Sequence, residues 1–152
     1  MQEWNEVRTD EDIEKIPSLY EGVLVSVRYD SGSRGEGKIS HHVFSEGHTA
    51  SVIADQPWSG ERVEFFFTGV RYCAISGFTE GDIFKEIDMC RVSFRTDLLG
   101  RTRDDRLIVW TDGGDVDLKN MQIDLRESGK TFIIAEKLKW RYINEYDHKQ
   151  EL

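Results

Sequence analysis

Three histidines that could ligate a metal ion lie close together in the chain. His41, His42 and His48 fall within eight residues, and histidine is the commonest metal ligand in proteins. Successive residues of a strand point to opposite faces, so His41 and His42 do not converge easily on one ion, although His42 and His48 could meet across a turn. No cysteine or carboxylate stands nearby at a spacing typical of a metal site. The pattern therefore favours surface histidines, and we predict no metal and no cofactor.

A second group of oxygen-bearing side chains surrounds a glycine pair. Asp112, Asp115 and Asp117 flank two glycines, a composition that faintly resembles a calcium loop. A calcium loop of the helix-loop-helix kind also needs a closing glutamate at a fixed spacing, which this segment lacks. A tight turn between two strands explains the same residues, because such turns prefer glycine and aspartate. We therefore predict a hairpin turn over residues 112–115.

The candidate nucleophiles lack the partners that covalent catalysis needs. Such catalysis requires a serine or cysteine with a nearby base and an orienting acid. Cys73 and Cys90 alternate with apolar neighbours in predicted strands, where a free cysteine usually packs as a small hydrophobic residue. Ser59 precedes Gly60 but lacks the glycine-flanked turn of hydrolases, and no phosphate-binding glycine loop is present. We predict that the chain is not an enzyme.

The charge balance of the chain is acidic. Lys and Arg number 20 against 29 Asp and Glu, which gives a net charge of −9. An acidic field of this size repels the phosphates of nucleic acids and accelerates encounters with a basic protein, although it also simply keeps a protein soluble. The sequence shows no signal-peptide pattern and no apolar run that could span a bilayer. We therefore predict a cytoplasmic protein with reduced cysteines and with neither nucleic-acid nor membrane partners.

The elements that would position these residues are predicted to be strands. Thr9 or Asp10 would cap one short helical turn that Pro17 ends, but no long amphipathic helix separates the alternating β-branched and aromatic segments. We predict a mainly β fold: an antiparallel curved sheet, sandwich or open barrel with at most short helices. The predicted strands are Val23–Tyr29, Lys38–Phe44, Thr49–Ala54, Arg62–Thr68, Arg71–Phe78, Ile83–Arg95, Leu107–Thr111, Val116–Leu125 and Thr131–Tyr142.

The length of the chain indicates one domain. A chain of 152 residues has the common size of a domain with a single hydrophobic core. We predict a single domain over residues 1–152, with a polar N-terminal segment at 1–20 and a polar tail at 144–152. Helix-favouring residues leave 134–142 open between a strand and a helix.

The aromatic residues divide between the core and the surface. Trp110, Trp140 and the run Phe65–Phe67 are predicted to be core, although Phe66 must face away from its two neighbours in a strand. Either both faces of the sheet are covered or Phe66 belongs to a contact patch.

One loop aromatic and several acidic residues are the candidates for binding a partner. Trp58 lies in a loop beside proline and glycine, and loop tryptophans make good interface anchors because they bury much area at little entropic cost. It could equally fold back onto the edge of the core. Acidic residues recur near the predicted turns. The predicted partner-binding residues are Trp58, Asp104, Asp105, Asp112 and Asp115.

The order of the segments resembles a known family. A first strand YEGVLVSVRYD is followed by ERVEFFFTGVRYCAISGF, by GDIFKEIDM and by RLIVWTDGGDVDLKNMQIDL. Over about residues 19–125 this order is similar to small bacterial proteins of the immunity protein 50 type, which are assigned to polymorphic toxin systems. Tyr20-Glu21 stands where members of that family often carry a His-Asp pair.

The resemblance implies a non-catalytic protein that binds and blocks a cognate toxin, and it supplies no catalytic residues. Many antibacterial toxins attack nucleic acid with basic clefts, so an acidic partner can mimic the charge of the substrate. A generic β scaffold is the first alternative, including a homodimer formed by pairing of exposed edge strands. A half-barrel that binds a small ligand or a metal in a deep pocket is the second.

Overall fold

The computed structural model describes residues 3–33, 47–75, 86–87, 90–96, 106–113, 118–119, 122–123 and 131–143. Within these residues the chain forms ten strands and one short helix, which confirms the predicted mainly β class. In chain order the elements are β1 (Asn5–Glu6), α1 (Asp10–Glu14), β2 (Gly22–Asp30), β3 (Thr49–Asp55), β4 (Arg62–Ala74), β5 (Glu86–Ile87), β6 (Arg91–Arg95), β7 (Leu107–Thr111), β8 (Leu118–Lys119), β9 (Gln122–Ile123) and β10 (Phe132–Ile143).

Most of the described strands belong to one antiparallel sheet. Its order is β5-β2-β3-β4-β10-β7-β6, and β1 joins it by pairing with β10. β5 and β6 stand at opposite ends of this order, yet Ile87 and Arg91 are only four positions apart in the chain. That spacing limits the separation of their Cα atoms to about 14 Å. The sheet therefore curves until its two edges approach each other without closing. This agrees with the predicted antiparallel curved sheet.

The centre of the fold is the pairing of β4 with β10. The two strands pair along nearly their whole length, so residues 134–142 are strand rather than helix. Phe65 and Phe67 are fully buried on one face of β4, and the ring centroid of Trp110 lies 5.8 Å from that of Phe65. Trp140 is also buried, so the predicted core aromatics are confirmed. The same core contains Val52, Ala54, Val63, Ile108, Ile133 and Leu138.

The opposite face of β4 and β10 is covered at its centre. Phe66 points to this face, where the ring of Trp4 lies 6.0 Å away from it, centroid to centroid. Beside them, Arg141 Nε donates to Glu64 Oε1 over 2.9 Å, and both residues are buried. The guanidinium of Arg141 and the ammonium of Lys139 stack over Trp4 at 4.2 and 4.5 Å. Trp4 thus covers part of this second face, and Phe66 is half-buried there.

The prediction that a strand ends at Gly69 is wrong, because β4 continues through it to Ala74. Gly69 has a φ of +66°, a conformation that glycine adopts without the steric cost of a side chain. The register of β4 against β10 shifts nearby, which is the signature of a β-bulge. The side chain of Glu136 crosses over Gly69 to pair with Arg71. The strand therefore continues through the glycine, with a bulge next to it, instead of ending there.

The predicted strand Ile83–Arg95 is also wrong as a single element. Its described parts form β5 and β6, which pair with β2 and β7 at opposite edges of the sheet. Of the other predicted strands, Lys38–Phe44 and the end of Arg71–Phe78 lie outside the described residues.

The predicted hairpin across residues 112–115 does not form between β7 and the segment Val116–Leu125. β7 pairs with β6 and β10 instead, whereas β8 and β9, both inside the predicted strand, pair with each other. Asp112 directly follows β7, and its N–H donates to the carbonyl of Thr131 over 3.1 Å. This bond connects Asp112 to the residue that precedes β10.

The N-terminal segment is part of the core rather than a polar lead-in. Thr9 caps α1, its hydroxyl accepting from the Asp12 N–H over 3.2 Å while Asp12 Oδ2 accepts from the Thr9 N–H over 3.0 Å. This reciprocal arrangement is a capping box. On either side of α1, Val7 and Leu19 are buried in the main core, and Val7 donates its N–H to Leu138 of β10. The predicted helical turn is confirmed, whereas the contribution to the core was not foreseen.

Candidate binding surface

The turn between β3 and β4 carries Trp58, which is 86% exposed. The Gln56 N–H donates to the Glu61 carbonyl over 2.9 Å, and the Gly60 N–H donates to the Gln56 carbonyl over 3.2 Å. The hydroxyl of Ser59 also donates to Gln56 Oε1 over 2.9 Å. These bonds close the turn on itself, so its backbone is already ordered before any partner binds. An exposed indole on an ordered turn can be buried at small entropic cost.

The same turn is fastened to the rest of the fold at two points. At its base, Arg62 Nε and Nη2 donate to the two carboxylate oxygens of Asp55 over 2.7 and 3.0 Å. Such bidentate pairs fix geometry better than single contacts do. To one side, Gln56 Nε2 donates to the carbonyl of Ser18 over 2.9 Å. The turn is thus held by its own strands and by the segment that precedes β2.

A second turn lies directly beside it, at Leu19–Gly22. The Gly22 N–H donates to the Leu19 carbonyl over 2.8 Å, and Glu21 has a φ of +58°. An added Cβ at Gly22 would lie 2.9 Å from the carbonyl oxygen of Asp55, so the two turns are in close contact. Leu19 is buried in the core while Tyr20 is 53% exposed. The buried leucine therefore fixes a turn that presents a second aromatic ring.

Together the two turns form one exposed surface with aromatic and acidic side chains. Tyr20, Glu21, Trp58 and Glu61 are all exposed, and we call these four residues the Trp58 surface. Tyrosine and tryptophan are enriched at the centres of protein interfaces. Exposed carboxylates at such a site steer basic partners and disfavour acidic ones. The chemistry of this surface therefore fits contact with a protein that offers an apolar pocket and basic groups.

The structure separates the predicted partner-binding residues. Trp58 is exposed in a loop, so the alternative in which it folds back onto the core is wrong. Asp104, Asp105 and Asp115 lie outside the described residues, and their predicted role stays a prediction. Nothing in the described part of the chain brings an acidic loop of that group to the Trp58 surface.

The predicted exposure of Asp112 is wrong. Asp112 is 2% exposed, and its Oδ1 accepts from the Thr131 N–H over 3.0 Å while its own N–H donates to the Thr131 carbonyl. A buried carboxylate needs such partners because it has lost its hydration. The side chain works inside the fold, where it orders the backbone at the start of β10.

The histidine cluster is described only at His48, since His41 and His42 lie outside the described residues. His48 Nδ1 lies 2.5 Å from the hydroxyl of Tyr29, and the His48 carbonyl accepts from the Val70 N–H over 3.1 Å. Within the residues that the structure describes, no group of three or more His, Cys, Asp or Glu is arranged to hold a metal ion.

Both cysteines are free thiols that pack against the core. Burial raises the pKa of Cys73, and it raises the pKa of the Cys90 thiol to about 12. The side chain of Trp110 acts on the pKa of Cys90 in the opposite direction, and the negative charge of Asp112 adds to the rise. The thiolate is the nucleophilic form, so at neutral pH both side chains are held in the unreactive form.

Sequence reasoning missed Tyr20 and the turn that presents it. Ser18 and Gln56 are 38 residues apart, and nothing in the sequence pattern indicates that their turns meet. A local indication of this turn was present in the sequence, because Gly22 stands at the start of a predicted strand, after Leu19-Tyr20-Glu21. That signal indicates a turn, but it does not say which other turn lies next to it.

Comparison with protein-family models, with curated proteins and with solved structures finds no match to this chain. In the part of the chain that the structure describes, no helix has the length and apolar character needed to cross a membrane.

Proposed function

We propose that this chain is a non-catalytic protein-binding domain that neutralises a cognate bacterial toxin in the cytoplasm, with the Trp58 surface as its contact. The observation that carries the proposal is the 86% exposure of Trp58 on a turn whose backbone is fixed by its own hydrogen bonds. An exposed tryptophan has an energetic cost in water that a partner's pocket can relieve. A rigid turn supplies the indole without the ordering cost that a flexible loop has.

The charge of the chain supports a basic partner. With a net charge of −9, the protein would attract a toxin that carries a basic cleft for nucleic acid. Glu21 and Glu61 place two of these charges beside the aromatic rings. The toxin-neutralising role itself comes from the resemblance of the strand order to the immunity protein 50 type, and the surface adds a place where such a toxin could bind.

The experiment that tests this proposal compares two alanine variants in the cells that make the protein. Tagged wild type, Trp58→Ala and Ile75→Ala are used to capture partners from cells grown under conditions in which the toxin is produced. Ile75 is a matched control because it is exposed and apolar but follows the end of the 13-residue β4 that lies away from the Trp58 turn. Any captured protein is then expressed in cells with and without the chain, and growth is measured.

We expect a captured protein that arrests growth alone and is harmless beside the wild type or the Ile75 variant. Trp58→Ala should weaken binding by at least about thirtyfold, the level expected of a central aromatic anchor, and should fail to protect. Its melting temperature should stay close to that of the wild type because the side chain is exposed. A toxin bound equally well by Trp58→Ala would remove this surface from the proposal, and capture of no growth-arresting protein would remove the immunity role.

A further inference from the structure

A cavity of about 470 Å³ lies away from the Trp58 surface, beside the part of the β10 edge that neither β1 nor β7 pairs with. β7 pairs with residues 132–135 of β10 and β1 pairs with residues 139–140, so the two short strands leave the middle of that edge between them. The volume lies in the range of small-molecule sites. Thr68, which lines the cavity, is six residues along β4 from Arg62, or about 20 Å from the base of the Trp58 turn.

The cavity is cationic although the chain is acidic. Its lining includes Arg8, Arg106, Lys137 and Lys139, against two acidic side chains. Arg106 and Lys137 are exposed. Within the described part of the chain, the contacts of Arg106 are with the Arg8 carbonyl and with the ring of Phe94, and neither is a carboxylate.

The two acidic side chains of the lining are already paired. Glu6 forms an ion pair with Arg8, and Glu136 pairs with Arg71, which lies outside the cavity. Lys139 has its ammonium over aromatic rings, 4.5 Å from the centroid of Trp4. The positive charge of Arg106, Lys137 and Lys139 is therefore not neutralised by the carboxylates of the described lining.

Aromatic rings stand among these cations. The guanidinium of Arg106 lies 3.9 Å from the ring centroid of Phe94, and the ammonium of Lys139 lies 5.2 Å from that of Phe66. Val7 and Leu138 also line the cavity, but their side chains are buried in the core. A ligand with an anionic group and an apolar ring would meet a cation and an apolar surface at once, which neither inorganic ions nor neutral hydrocarbons can do.

We propose that this cavity binds a small organic anion, a carboxylate or phosphate attached to an aromatic or other apolar group. The anionic oxygens contact Lys137, Lys139 and Arg106, and the apolar group packs on Phe66 and Phe94. The site goes beyond toxin neutralisation and does not depend on it, because the two surfaces share no residue.

Phenyl phosphate and benzoate are the probes, and benzamide is the uncharged control. Each is titrated at up to millimolar concentration into the full chain, with backbone amide NMR shifts as the readout. We expect both anions to move the amides of residues 6–8, 106 and 137–139, and benzamide to move them far less. Raising the salt concentration should weaken the binding of the anions. Whichever anion binds more tightly identifies the natural group as phosphate or carboxylate.

Two variants with the same change in net charge decide whether the cavity is responsible. Lys137→Gln should weaken anion binding by roughly threefold to tenfold, the effect of one partly screened charge contact. Lys15→Gln, at the exposed end of α1, should leave it unchanged, as should Trp58→Ala. The proposal is overturned if benzamide binds as well as the anions, if no shifts occur at these amides, or if Lys15→Gln weakens binding as much as Lys137→Gln.

Discussion

At the residue scale, burial strongly shifts the pKa of the Cys90 thiol. Its thiol packs against the core beside Trp110, and burial raises its pKa from the ordinary 9.0 to about 12. Trp110 Nε1 is buried without a hydrogen-bond partner in the described part of the chain, and the side chain of Trp110 opposes the rise of the Cys90 pKa. A sulfur atom is a weak acceptor that suits a mostly apolar site. The pair is therefore held by packing, and its chemistry appears only in alkaline solution.

We predict that Cys90 lowers the free energy of unfolding as pH rises from 9.0 towards about 12. Below this window the thiol is protonated in both states, so its contribution is fully present. Within it the unfolded thiol ionises while the folded one keeps its proton, and stability falls by up to about 1.4 kcal/mol per pH unit. Cys90→Ala should therefore show a shallower alkaline loss in urea unfolding followed by fluorescence.

Cys73→Ala is the matched control for this measurement, because Cys73 is a second free thiol whose pKa burial raises less than that of Cys90. Its removal should change the alkaline slope less than the removal of Cys90 does. Parallel curves for the wild type and Cys90→Ala across the whole window would show that the thiol ionises equally easily in the folded state. That outcome would contradict the prediction.

Residue types alone could predict which aromatics are buried but could not place single charges. Phe65, Phe67 and Trp110 alternate within strands, and their burial follows from that period. Asp112 has the composition of an exposed turn, yet the structure buries it because Thr131 supplies its partners from 19 residues away. No local pattern carries such a long-range bond, and for that reason the exposure of Asp112 was mispredicted while that of Trp58 could only be left open.

At the element scale, the β-bulge next to Gly69 explains how β4 can be 13 residues long and still belong to a curved sheet. A glycine between two β segments has the composition of a turn, and two separate strands, Arg62–Thr68 and Arg71–Phe78, were predicted on either side of it. The tertiary context decides otherwise, because β10 pairs with both halves of β4. A bulge increases the local twist of a strand without ending its pairing. Sequence periodicity could therefore find the two halves but not their continuity.

We predict that Gly69→Ala destabilises the protein more than Gly60→Ala does. Both glycines have a φ near +70°, at +66° and +70°, but an added Cβ meets nothing within 4 Å at Gly60 and lies 2.5 Å from Glu136 Oε2 at Gly69. Gly60→Ala should therefore have only the conformational cost of about 1–2 kcal/mol. Gly69→Ala should add the displacement of Glu136 from Arg71. Urea unfolding measures both costs.

The double variant Gly69→Ala with Glu136→Ala isolates the steric part of that difference. Because the second change removes the atoms that the new Cβ would meet, the double variant should lose less stability than the sum of the two single variants. The prediction is contradicted if Gly60→Ala and Gly69→Ala lower the free energy of unfolding equally and the effects in the double variant are additive. The position of the Glu136 side chain over Gly69 would then not contribute to stability.

At the scale of the whole molecule, the first and last described strands, β1 and β10, are packed against each other. Asn5 Nδ2 donates to the carbonyl of Trp140 over 3.3 Å, a bond between residues 135 positions apart. The N-terminal segment supplies β1 to an edge of β10 and supplies Val7 and Leu19 to the main core. It thereby also completes the anionic-ligand cavity at Arg8 and the Trp58 surface at Tyr20. A segment that composition marks as polar is thus the part that links both candidate sites to the core.

If the segment is integral to the core, Leu19→Ala must lower the stability of the whole fold rather than fray one end. Leu19 is 1% exposed, and truncation of a buried leucine costs about 2–5 kcal/mol. Val25→Ala, at an exposed apolar residue of β2, should cost less than about 1 kcal/mol. Fluorescence and far-UV circular dichroism should report the same single urea transition for Leu19→Ala, shifted to lower urea. A cost no larger than that of Val25→Ala, or two separate transitions, would show instead that the segment docks onto a core that is stable without it.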